Sequence, residues 1–95
     1  MVPDLSQING VEDYEAKKDG ARTLYKKQDK VFLVVNKNTI EVRCDDKLSQ
    51  VLQERFESVM ESRYFGRGGI EIVPSEQLPE QEINDLIRLS YDLTI

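Results

Sequence analysis

Apolar residues along this chain change their spacing several times, and each change predicts an element. Leu5, Ile8 and Val11 stand three apart and Asn9-Gly10 is a helix-stop pair, so the start predicts one or two helical turns at most. Residues 12–21 are polar and turn-like, with Asp19-Gly20 a tight turn. Three strands are predicted next: Arg22 to Lys26, Lys30 to Val35 after a Gln28-Asp29 turn, and Thr39 to Arg43 after Asn36-Lys37-Asn38. The third alternates, with Ile40 and Val42 inward and Thr39, Glu41 and Arg43 toward water. The second is apolar on both faces, with Val31, Leu33 and Val35 on one side and Phe32 and Val34 on the other, which predicts a covered central strand.

Helical spacing follows. Asp45 and Asp46 are capping residues, and Leu48, Val51, Leu52 and Phe56 form a stripe through about residue 58. A second hairpin is predicted from Ser62–Phe65, a Gly66-Arg67-Gly68-Gly69 loop, and Ile70–Val73, where Pro74 ends the ladder. Pro79, Glu80 and Glu82 then open a helix whose stripe is Ile83, Leu86, Ile87, Ser90, Tyr91 and Thr94. The expected fold is α+β, an antiparallel sheet in (α)-βββ-α-ββ-α order with the helices packed on one face. At 95 residues without an internal linker, the whole chain reads as one domain.

Composition narrows the chemistry. With no His and one Cys, neither imidazole-activated nucleophiles nor His/Cys zinc sites can be assembled from this chain. No phosphate-binding glycine fingerprint is present either. The reading is therefore non-enzymatic, with no cofactor or metal expected. Asp45-Asp46 reads as a cap rather than a cation site, and Cys44 as a small buried residue. The opening MVPDLSQING has neither the basic stretch nor the apolar core of a secretory signal, and a lone thiol forms no intrachain disulfide. Both fit a cytoplasmic location, and no apolar run approaches membrane-spanning length.

The stretches KVFLVVNKNTIEVRCDD, RYFGRGGIEIV and LPEQEINDLIRLSYDL resemble the MmcQ/YjbR family, the YjbR-like or CyaY-like group. The matching positions are Cys44-Asp45, Leu78-Pro79, Glu82, Leu86, Ser90, Tyr91 and Leu93, and INGVEDYEAKKDGART is similar to the family's opening. The resemblance spans roughly Ile8 to Leu93. It implies a compact α+β fold and a DNA-binding role through projecting hairpins, with no established reaction. The chain departs from the family where a full N-terminal helix usually stands, and it lacks the His and Trp often found around the late hairpin.

Charge is uneven. Residues 1–16 carry a net −4, residues 17–47 a net +4, and residues 48–95 a net −5. A basic meander suits an anion-binding face, although lysines near turns also keep strand edges soluble. Around the late hairpin, Arg63, Tyr64, Phe65 and Arg67 combine cations with rings that could stack on bases, whereas a strand would bury one of those rings. The expectation is a binding module that meets DNA through Arg63, Tyr64, Arg67, Lys26, Lys27, Lys30 and Lys37. The alternative is a protein-interaction or self-dimerising module, suggested by the doubly apolar Val31–Val35. The acids Glu76, Glu80, Glu82 and Asp85 also invite a fold-level analogy with a frataxin-like iron-binding ridge.

Overall fold

The alternating and continuous apolar runs pair into one antiparallel sheet of six strands, described by a computed structural model over residues 3–75 and 77–95. The strands are β1 (Glu15–Asp19), β2 (Arg22–Lys27), β3 (Lys30–Val35), β4 (Ile40–Arg43), β5 (Val59–Ser62) and β6 (Gly66–Ile72), in the spatial order β1-β2-β3-β4-β6-β5. Two helices, α1 (Asp46–Arg55) and α2 (Glu80–Leu93), cover one face. The fold is α+β. Its core joins Leu33, Val35, Ile40, Val42, Ile70 and Ile72 from the sheet to Ile83, Ile87 and Tyr91 of α2, with Leu48, Leu52 and Phe56 packed at its edge. Leu5, Ile8 and Val11 close one side of it around a single 3₁₀ turn, Leu5–Gln7, that Asp4 caps.

Local chemistry explains most element ends. The Asp45 carboxylate accepts the Leu48 N–H and starts α1. Pro79 precedes α2, whose first turn carries Glu80 and Glu82 against the positive end of the helix dipole. The stripe predicted for α2 faces the core, and Ser90 adds two cross-links: its hydroxyl donates to the Phe32 carbonyl at 2.5 Å and accepts the Arg43 N–H at 2.7 Å.

Four expectations need correction. The polar stretch 12–21 contains a strand: β1 pairs with β2 from Glu15↔Lys26 to Asp19↔Arg22. All five of its residues are exposed, so it leaves no hydrophobic alternation to read. The faces of β3 are also shared differently. A bulge where β3 passes Tyr25/Lys26 puts Phe32 into the helix-side core with Leu33, while Val31 joins Val34 and Leu24 on the opposite face. In α1, Val51 is exposed and Ser49 takes the buried position; the helix stops at Arg55.

The late hairpin lies about three residues earlier than predicted, turning at 63–65 rather than at the glycines. Two glycines explain the difference. Gly66 takes φ +62 to re-enter the ladder, and Gly69 lies beneath Phe65, where a Cβ would come within 2.6 Å of the Phe65 Cβ and 2.5 Å of the Val42 carbonyl.

Candidate binding site on the helix-free face

Cross-strand register places one row of residues on the sheet face that no helix covers: Lys17, Leu24, Val34, Glu41, Glu71 and Met60. Its fourth and fifth members, Glu41 and Glu71, are carboxylates, 2% and 1% exposed. The sequence reading sent Glu41 to water. Water is excluded because segment 62–65 folds across this face, with Phe65 packing on Leu24, Val31 and Val34.

Buried charge must find donors, and here it finds six. Glu41 accepts Ser62 Oγ at 2.7 Å, the Tyr64 N–H at 2.9 Å and Asn36 Nδ2 at 2.8 Å. Glu71 accepts Arg63 through Nε at 2.9 Å and a terminal nitrogen at 2.7 Å, and the Thr39 hydroxyl at 2.6 Å. Asn36 also donates to Thr39 Oγ1 at 3.0 Å, linking the two halves. The bidentate Arg63 bond, aided by Thr39 and opposed by burial, holds the Glu71 carboxyl below its ordinary value. The same bond raises the Arg63 guanidinium. The carboxylates therefore bind the loop that bears the candidate residues.

Above the pair lies an open depression of about 290 Å³ lined by Arg22, Asn36, Glu41, Arg63 and Tyr64. Arg22 stacks 5.3 Å from the Tyr64 ring centre and pairs with Asp19 at 2.8 Å. Phe65 meets the Tyr64 ring edge-on at 5.0 Å, and Tyr64 keeps 39% of its surface exposed. Of the two rings, Tyr64 faces outward and Phe65 is half-buried.

The seven residues expected to contact DNA do not form one patch. Arg63 and Tyr64 sit over the carboxylates, whereas exposed Lys37 lies in the β3–β4 turn. Lys26 lines a separate hollow with Asp13, Glu15 and Asp29 around it. Lys27 reaches the helix side, donating to the Tyr91 carbonyl at 3.0 Å above the Tyr91 ring. Lys30 donates to the Ile95 main-chain oxygen, and Arg67 lies 3.5 Å from Asp46. Of the nine bases in residues 17–47, Lys27, Lys30 and Arg43 meet main-chain carbonyls distant in sequence, and Arg22 pairs with the nearby Asp19. Glu41, Glu71, Ser62, Asn36 and Arg22 were missed as site residues. Their only sequence signal was a Glu at the middle of each of two short apolar strands.

Cys44 is buried, and its thiol is pushed up to about 11 by burial and by Asp45. Glu76 lies outside the described residues; Glu80, Glu82 and Asp85 belong to α2, and no cluster of three or more potential metal ligands occurs among the described residues. No described helix is long and apolar enough to cross a membrane. No family model, curated protein or solved structure matches the chain.

Proposed function

We propose that the chain is a non-enzymatic binding module whose partner is another protein. The observation that carries this reading is charge compensation. Arg63 and Arg67 lie against carboxylates and Lys27 and Lys30 against main-chain carbonyls, on a chain whose net charge is −5. A phosphate backbone draws most of its affinity from free cations, and both arginines of the late hairpin already face carboxylates. Self-association loses its original motive, because Val31 and Val34 are covered by Phe65 and Phe32 by Tyr91 within one copy. Membership of the MmcQ/YjbR family belongs to the same proposal, supported by the quoted segments and by the late hairpin and closing helix.

Affinity purification of the tagged chain from its native cells, with and without nuclease, tests the reading. A protein retained after nuclease treatment supports it. Recovery that depends entirely on nucleic acid overturns it.

One observation favours DNA as the second reading: Arg22, Arg63 and the outward Tyr64 share one exposed corner. Fluorescence anisotropy with short single-stranded and duplex DNA at about 50 and 200 mM salt checks it. Binding that falls steeply with salt and is lost in Arg63→Ala/Arg67→Ala supports DNA, and no binding at the lower salt removes it.

A further inference from the structure

The two helices pack on the sheet rather than on each other: α1 lies on β5 and β6, and α2 on β3 and β4. Between them a hollow of about 180 Å³ remains, floored by Leu52, Phe56, Leu78 and Leu86. Glu82 and Asp85 of α2 stand on one lip and Arg55 of α1 on the other. Each helix also exposes a further apolar side chain. Val51, one turn before Arg55, is 48% exposed, and Leu93, two turns after Leu86 on the same stripe of α2, is 44% exposed. A monomer gains nothing from leaving such a groove open to water.

Charge selects the occupant. α2 carries Glu80, Glu82, Asp85 and Asp92 against a single Arg88. Arg88 lies against Gly10 and 3.9 Å from Asp92, and it lines a second hollow on the other side of Asp85 rather than this one. The α2 lip is therefore acidic, while the α1 lip presents the Arg55 cation stacked over Phe56 at 5.3 Å.

We propose that this groove docks a basic amphipathic segment of a partner protein. One large apolar side chain fills the Leu52–Phe56–Leu78–Leu86 hollow, and lysines or arginines on one flank pair with Glu82 and Asp85. The opposed Arg55 sets the direction in which the segment lies, because it disfavours a cation on the other flank. This assignment rests on the protein-binding reading and gives that reading a site.

The probe is a synthetic helix of about 15 residues with leucines at i, i+4 and i+7 and lysines flanking them on one side. Two controls replace the lysines by glutamates or the leucines by serines. Amide chemical-shift mapping on the full chain reads the site and the affinity. We expect the lysine peptide to shift the amides of Leu52, Phe56 and Leu86 with a dissociation constant below about 1 mM, and each control to bind at least about tenfold more weakly. The exposed pair Glu82→Lys/Asp85→Lys should reverse the order of the lysine and glutamate peptides without altering the amide spectrum of the core.

The proposal is overturned by equal binding of the lysine and glutamate peptides, by shifts confined to another face, or by no binding. It is also overturned if sedimentation finds a self-association that the double charge reversal abolishes, because the occupant is then a second copy. A protein partner that still binds the doubly reversed chain removes the groove but leaves the protein-binding reading intact.

Discussion

Glu41 and Glu71 face each other directly across the β4–β6 ladder, both nearly inaccessible to water. Like charges opposed on neighbouring strands ordinarily destabilise a sheet. Six hydrogen bonds from Ser62, Tyr64, Asn36, Arg63 and Thr39 offset the repulsion, and four of the six come from the 62–64 segment. The pair thereby converts a hairpin tip, ordinarily among the most mobile parts of a fold, into a fixed cover over the sheet.

Removing the acceptor at Glu41 strands three donors. Glu41→Ala should cost about 3 kcal/mol of unfolding free energy, by the usual penalty for buried unpaired groups. Arg63→Ala should cost clearly less, since the Arg63 side chain is 76% exposed and Thr39 still serves Glu71. Urea denaturation of both variants checks the order.

Acid should act through Glu71. Its carboxyl is held below the ordinary 4.5, so it contributes stability above that value and loses it as pH falls through the lowered one. Glu71→Gln should flatten this limb, losing less between about pH 4.5 and 3 than the parent chain does. Melting temperatures across that range decide it.

The β2–β3 turn is strained by its own residues. Gln28 and Asp29 both take positive φ, 51° and 68°, the pattern of a type I′ turn that Asn-Gly adopts at lower cost. The double change Gln28→Asn/Asp29→Gly should stabilise the chain by about 1 kcal/mol, measured by the same denaturant titration.

Gly69 should tolerate nothing larger. Gly69→Ala drives a methyl into Phe65 and the Val42 carbonyl, and should destabilise by more than about 3 kcal/mol or prevent folding. Gly68→Ala meets only the Phe65 carbonyl at 3.6 Å and is the matched control with little expected effect. Thermal melts of the pair separate steric clash from a general dislike of alanine in β6.

The thiol at Cys44 should be inert. Burial and Asp45 push it up to about 11, so an aromatic disulfide reagent near pH 8 should leave the folded chain unmodified and label it fully in denaturant. Rapid labelling under native conditions would show that the β4–α1 junction opens.

Periodicity alone determined the elements that bury a stripe: α2, the α1 start at Asp45, β3 as a central strand, and the inward Ile40, Val42, Ile70 and Ile72. Those features depend on neighbours close along the chain, which spacing records directly. Tertiary structure decided what depends on pairing. The all-exposed β1 exists because β2 offers it a ladder, Phe32 changes face at a bulge between strands, and the hairpin turns where Phe65 finds Gly69 and the apolar patch beyond it. The candidate site belongs to this second group. A Glu in the middle of an apolar strand looks like a solvated face until a residue distant in sequence is laid over it. Likewise, a lysine counts as free charge only until the fold brings up its acid or carbonyl.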